Sequence, residues 1–186
     1  INVALFISKN KKNAEQYAKA TKHFKHIFQH TFDLTIDDGQ HKFKQRKLHF
    51  MQISNIISSL LPDKIFTGSD RRVEFQFAMH QARKFNKQVE GIYIDDGTVS
   101  YLGHKSMNSI FHKYIDPFFK KLVYGVWWKN ALTTGCSEWV STAYLAVPQD
   151  AHPLLKTKHL IALDQSIFSS SKFLQVNEFL IEIERT

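Results

Sequence analysis

The chain has 186 residues, 43% of them hydrophobic, with sixteen Phe but only seven Gly and four Pro. That is enough apolar material for a buried core and too little Gly and Pro for long disordered linkers. A formal charge of +8 favours anionic partners such as nucleic acid, phosphorylated sugar donors or an acidic membrane surface, yet the cations are spread widely, from Lys9 through Lys172 to Arg185, with no run of five.

Cys136 is the sole cysteine, which excludes an intrachain disulfide and fits a reducing cytoplasm. No stretch approaches the roughly 18–20 apolar residues of a bilayer-spanning helix. The apolar run at residues 3–7 is too short for a signal-peptide core and has no charged region before it. The chain opens on Ile and closes inside what reads as a regular element, so a fragment of a longer protein is expected.

Two hydrophobic periods alternate along the first hundred residues. VALFI at 3–7 is a continuous apolar run, the mark of a strand buried on both faces. Ala14, Tyr17, Ala18, Thr21, Phe24, Ile27 and Phe28 recur at spacings of three and four and predict a helix. Residues 32–36 read as a short second strand. Phe50, Ile53, Ile56, Ile57, Leu60 and Leu61 mark a second helix, stopped by Pro62.

DKIFTG at 63–68 is a third strand, and Ser69 or Asp70 is placed to cap the helix after it. That helix has Phe75, Ala78, Met79, Ala82 and Phe85 on its apolar face. QVEGIYI at 88–94 is the fourth strand. This alternation predicts an α/β fold, Rossmann-like, with a mostly parallel sheet and helices on both faces.

Beyond Tyr101 the pattern changes. Met107, Ile110, Phe111 and Tyr114 suit a helix broken or kinked near Pro117. Residues 118–129 then crowd Phe118, Phe119, Tyr124, Trp127 and Trp128 among Lys120, Lys121 and Lys129. Such a segment serves as an aromatic core, as a patch on an anionic membrane surface, or as a stacking platform for single-stranded nucleic acid. Strands are expected at 139–147 and 160–163. Three stretches follow: 1–103, a Rossmann-like domain; 104–150, a helical and strand extension on it; and 151–186, the start of another domain.

The tetrapeptide IDDG occurs twice, at 36–39 and at 94–97. Asp37 and Asp38 follow a weak strand and precede the polar QHKFKQRK, which suits an exposed turn. Asp95 and Asp96 follow a strongly apolar strand, at the carboxyl end where parallel sheets bind ligands. A carboxylate partly desolvated there would have its pKa raised toward the range of a general base. Gly97 permits a sharp turn, and Ser100 and Tyr101 add polar contacts.

A second polar group stands in TGSDRRVE. Gly68 and Ser69 offer backbone amides to a hydroxyl or an anion, and Asp70, Arg71 and Glu74 point polar groups toward the same crevice. His23, His26 and His30 share a predicted helix face, but Lys19, Lys22 and Lys25 beside them oppose a dication. No metal site is expected. Cys136 has no histidine near it in sequence to activate it, and there is no Gly-rich phosphate loop or nucleophile elbow.

IFTGSDRRVEFQFAM followed by IYIDDGTVSY resembles the bacterial sialyltransferases and polysialyltransferase-like glycosyltransferases that build capsule polysaccharide and lipooligosaccharide. The resemblance implies a GT-B arrangement, two Rossmann-like domains across a cleft, of which this chain would be the N-terminal, acceptor-side half. It implies inverting transfer of sialic acid from CMP-sialic acid, or another nucleotide sugar, to a glycan hydroxyl. No cofactor is implied. Asp95 matches the position of the general base, and Asp96 the acidic residue that supports it.

The family also carries a His-Pro motif at the donor phosphate, and His152–Pro153 is the only such dipeptide here. It lies early in the chain for that role, so two readings stay open, donor-phosphate ligand or structural junction residue. A cytoplasmic location, with peripheral attachment to the inner membrane through residues 118–129, goes with this reading. The rival is a basic, non-catalytic module for nucleic acid or anionic surfaces, indifferent to Asp95; on the glycosyltransferase reading no nucleic acid is expected.

Overall fold

The computed structural model describes residues 3–8, 30–35, 42–95, 97–103 and 111–185. The chain divides into two compact units, residues 1–49 with 165–186, and residues 50–164.

In the first unit, strand β1 (Val3–Ser8) pairs in parallel with β2 (His30–Thr35). Both strands occur where the apolar runs predicted them, within two residues. The predicted helix between them, and Asp37 and Asp38 of the first IDDG copy, lie outside the described residues. So do His23 and His26. His30 opens β2, so it does not share a helix face with the other two histidines. Helices α5 (Ser166–Ser169) and α6 (Ser171–Arg185) also belong to this unit, where Phe168 and Phe173 meet edge to face.

Helix α1 (Lys42–Leu60) begins eight residues before its apolar stripe. KFKQRK has no apolar period, but Lys, Gln and Arg are good helix formers, so the segment expected as a loop is helical. The helix stops two residues before Pro62, with Leu61 in the left-handed region at φ 46°.

The second unit is built on strands β3 (Lys64–Thr67), β4 (Glu90–Ile94), β5 (Thr142–Leu145) and β6 (His159–Ala162). All four are parallel and lie side by side in chain order. This is an α/β fold with a four-stranded, all-parallel sheet and flanking helices, consistent with a Rossmann-like domain. The sheet draws strands from all three stretches that the sequence marked out.

Burial is deepest at the centre of this sheet. Gly91, Ile92 and Tyr93 of β4 and Ala143 and Leu145 of β5 are buried, whereas β3 and β6 have no buried residue. Helix α2 (Val73–Phe85) buries Phe75, Ala78, Met79 and Ala82 as its period predicts, but Phe85 is exposed. Phe77 of α2 stacks on Phe50 of α1 at 4.3 Å between ring centroids, and Trp127 meets both rings edge-on.

Gly91 is required by a close approach. A Cβ there would lie 2.0 Å from the carbonyl oxygen of Trp139, and the Ser141 amide donates to the Gly91 carbonyl at 2.9 Å. This packing also explains why the strand expected from Trp139 starts only at Thr142. Trp139 and Val140 are buried, but the Trp139 backbone packs against Gly91 of β4 and the sheet pairing of β5 begins only at Thr142.

A π-helical turn (Phe111–Ile115) leads into α4 (Asp116–Tyr124). Pro117 sits in the first turn of α4, where its missing N–H costs nothing, so the expected break is a change of helical pitch. Residues 104–110, including Met107 and Ile110, lie outside the described residues. Among the described residues no helix is long and apolar enough to cross a membrane.

Candidate functional site

Strand β4 ends at Ile94, and the next residue, Asp95, is tied to the neighbouring strand: its amide donates to the Tyr144 carbonyl at 2.9 Å. The register that pairs Ile94 with Tyr144 and Thr67 with Tyr93 brings the ends of β3, β4 and β5 to one edge of the sheet. Asp95 stands on that edge, where parallel sheets hold ligands.

Its carboxylate is half-buried and gathers four donors. Oδ1 accepts the Gly97 amide at 3.1 Å and the Ser100 hydroxyl at 3.0 Å. Oδ2 accepts the Ala146 amide at 3.1 Å and the Tyr101 hydroxyl. The chain permits this because Gly97 takes a left-handed turn at φ 112° and leads into the short helix α3 (Val99–Leu102), which swings Ser100 and Tyr101 back over the strand end.

A second layer lies beneath. Because the Ser100 proton goes to Asp95, the Tyr93 hydroxyl must donate to Ser100 Oγ, and the two oxygens are 2.6 Å apart. Tyr93 and Ser100 are fully buried, so a hydrogen-bonded chain runs from the sheet interior to a partly solvated carboxylate. The Val147 amide, two residues past the end of β5, donates to the Tyr101 oxygen at 3.3 Å and steadies the ring.

These contacts decide the electrostatics. Burial works to raise the pKa of Asp95, but the hydrogen bonds from Tyr101, the Ala146 and Gly97 amides and Ser100 outweigh it. The carboxyl is held below its ordinary value. The upward shift expected from desolvation is therefore corrected: four donors stabilise the anion more than partial burial destabilises it. Burial and the bond to Asp95 push the Tyr101 phenol the other way, above the usual tyrosine range.

His152 joins the same neighbourhood. Its amide donates to the Ser100 carbonyl at 2.9 Å, and its ring packs on Gly103, where a Cβ would lie 2.9 Å from Nε2. Gly103 at φ 69° leaves the room that the ring occupies. Nδ1 accepts the Leu154 amide at 3.3 Å. The backbone carbonyl of His152 starts the turn Leu155–Thr157 by accepting from Leu155 at 2.8 Å. The histidine is therefore both a turn-forming residue and a neighbour of the Asp95 loop.

The TGSDRRVE group divides. Gly68, Ser69 and Arg71 stand at the carboxyl end of β3, exposed or half-buried. Asp70 is fully buried, and its oxygens accept the Gly135 and Ser137 amides, both at 2.7 Å. Neither Ser69 nor Asp70 caps α2, which starts at Val73 with no side-chain cap. Asp70 instead binds a loop more than sixty residues along the chain. Glu74 is buried in the first turn of α2, so neither carboxylate is presented to solvent.

Asp96 lies outside the described residues. Cys136 shares its thiol with the Thr133 backbone, and burial raises its pKa, the opposite of an activated nucleophile. Residues 118–129 split in two. Phe118, Phe119 and Lys121 are exposed, while Trp128 is buried and Trp127 belongs to the Phe50–Phe77 cluster.

Sequence reasoning missed three members of the network. Tyr93 was legible in part, since a phenol in a buried strand needs a partner for its hydroxyl. Ala146 and Val147 act through backbone amides and leave no side-chain signal. Among the described residues no group of three or more His, Cys, Asp or Glu is arranged to hold a metal ion. Comparison with known protein families finds no family model that matches the chain, and comparison with curated proteins finds no match either.

Proposed function

We propose that this chain is the acceptor-side half of a GT-B glycosyltransferase of bacterial surface-carbohydrate synthesis. It transfers sialic acid from CMP-sialic acid to a glycan hydroxyl with inversion, and Asp95 is the general base. The supporting observation is the ionised, partly solvated Asp95 carboxylate at the carboxyl edge of a parallel sheet, held by Ser100, Tyr101 and two backbone amides. The resemblance of IYIDDGTVSY to such enzymes supplies the reaction class.

The low pKa keeps Asp95 deprotonated across the physiological range, which a base requires, but makes it a weak acceptor of protons. An acceptor hydroxyl bound at Oδ2 competes with Tyr101 there. Loosening that bond removes the strongest of the interactions that lower the pKa, so binding the acceptor raises the basicity of the carboxylate when it is needed. As the acceptor oxygen attacks the anomeric carbon its proton passes to Asp95, and CMP leaves with the bonding pair. On this reading His152, beside the same loop, either donates to the departing phosphate or serves only as the junction turn residue, the two roles its early place in the chain leaves open. Gly68, Ser69, Arg71 and Gly97 border the acceptor side, and Asp96 supports Asp95.

The test is a transfer assay with CMP-sialic acid and oligosaccharide acceptors in the full-length protein. Asp95→Asn should abolish turnover, by about a thousandfold or more if the base contributes as such groups usually do, while the folded state survives by circular dichroism. Retained turnover removes Asp95 from the mechanism.

A further inference from the structure

The helical stretch formed by the π turn and α4 carries a largely exposed apolar face. Phe111, Tyr114, Ile115, Phe118, Phe119 and Leu122 follow the three–four spacing of one helix face, and each is between 42% and 67% exposed. Val123 widens the stripe. Soluble surfaces scatter single apolar side chains, and a continuous stripe with three Phe marks a contact surface. The opposite side of the helix supplies Pro117, which is buried, and Tyr124, which packs against Phe50 and Trp127. The helix is thus fixed to its unit by one face and presents the other outward.

We infer that this stripe lies in the interface of an anionic membrane, parallel to its plane. Charge selects that occupant. The chain carries a net +8, so a second copy is repelled while an acidic lipid surface attracts. Lys121 is exposed at the stripe's edge, and the helix's only carboxylate, Asp116, is neutralised by Lys120 at 2.7 Å. Lys120 also lies over the buried Trp128 ring at 5.3 Å, which keeps the ion pair on the flank.

Length argues the same way. At about 1.5 Å per residue the stretch reaches about 21 Å, short of the roughly 30 Å hydrocarbon core, so it rests on a bilayer and does not cross it. Aromatic and aliphatic side chains sink below the headgroups, and Lys121 reaches up to lipid phosphate. This differs from the patch read at residues 118–129, because Trp127 and Trp128 face inward and the surface extends back to Phe111. The inference stands on the exposed face and charge and does not depend on the transfer chemistry.

The experiment is co-sedimentation of the chain with vesicles of equal parts phosphatidylglycerol and phosphatidylcholine, against vesicles of phosphatidylcholine alone. Preferential binding to the anionic vesicles is expected. Phe118→Ser with Leu122→Ser should lower the partition coefficient about tenfold or more. Both residues are exposed, so thermal unfolding should be unchanged. Lys121→Gln, which leaves the stripe intact, should weaken anionic binding alone. Equal binding to both vesicle types, or a double variant that binds like the parent, overturns the inference. So does a dimer in size-exclusion chromatography that the double variant splits, since the face would then belong to a second copy.

Discussion

Asp95 is pulled in opposite directions, by partial burial that disfavours its charge and by four donors that favour it. The donors win, and the folded pKa lies below the ordinary value of about 3.9. The consequence for stability has a definite sign. A carboxyl with a depressed folded pKa contributes stability that is present above the unfolded pKa and is lost as pH falls through the folded pKa. Tyr101→Phe deletes the strongest of the lowering bonds, so the folded pKa should rise. At neutral pH the variant should be less stable by about 1 kcal/mol, below the usual range for a hydrogen bond to a charged group because the carboxylate is partly solvated. Urea unfolding repeated from neutral pH down should show the difference shrinking in the acid range, where both proteins have a protonated carboxyl. A difference that stays constant with pH would assign the loss to packing of the ring. In a transfer assay the same variant should move the acid limb of kcat/KM upward.

The loop between α4 and β5 is an element without regular structure, yet buried hydrogen bonds tie it down at several points. Asp70 clamps the Gly135 and Ser137 amides, Gln76 donates to the Asp70 and Lys129 carbonyls, and the Lys129 amide donates back to Gln76 at 2.7 Å. The Thr133 hydroxyl donates to the Val99 carbonyl at 2.9 Å, which links the loop to the helix that carries Ser100 and Tyr101. Gly135, at φ 86°, sits so close that a Cβ would lie 2.6 Å from the Tyr93 ring. The clamp thus holds the loop against the buried end of the hydroxyl chain that reaches Asp95. Asp70→Asn keeps one acceptor and turns an amino group toward a backbone N–H. The expected cost is about 3 kcal/mol, from one lost charge-assisted bond and one unsatisfied buried donor. Cys136 lies between the two clamped amides and is the only thiol, so the loosened loop should also react faster with a thiol reagent below the unfolding transition. Unchanged labelling with unchanged stability would show that the clamp is dispensable.

For the molecule as a whole, the legible features were those written in side-chain pattern. The continuous apolar runs of β1 and β4 and the three–four spacing of α2 announced a parallel α/β fold. The apolar strand before Asp95 announced the sheet edge on which that residue stands. The polar start of α1 was illegible because helix-forming residues without an apolar face give no period. Asp70 was misplaced because its partners are backbone amides far along the chain, and local capping chemistry was the only rule in reach. Ala146 was hidden for the same reason. What the fold adds is that the site inherits the rigidity of the sheet. The Asp95 amide is bonded to Tyr144, and the Ala146 amide to the Asp95 carboxylate, at the ends of the two strands that hold the deepest core. Breaking the backbone bond means parting β4 from β5, which opens the core around Ile92, Tyr93, Ala143 and Leu145, whereas the Ala146 bond depends on the Asp95 side chain alone. Native-state hydrogen exchange should therefore find the amide of Asp95 as slow as those of the strand centres, exchanging only with global unfolding of residues 50–164, and the amide of Ala146 protected for as long as the carboxylate keeps its place. Amides of the exposed edge strand β3 that are not bonded to β4 should exchange far faster. In Asp95→Asn the Ala146 amide alone should lose protection, by about tenfold for the loss of a charge-assisted bond, with the strand centres unmoved. An Ala146 amide already fast in the parent would mean that the carboxylate is not pre-organised, and the site would have to be assembled by its ligand.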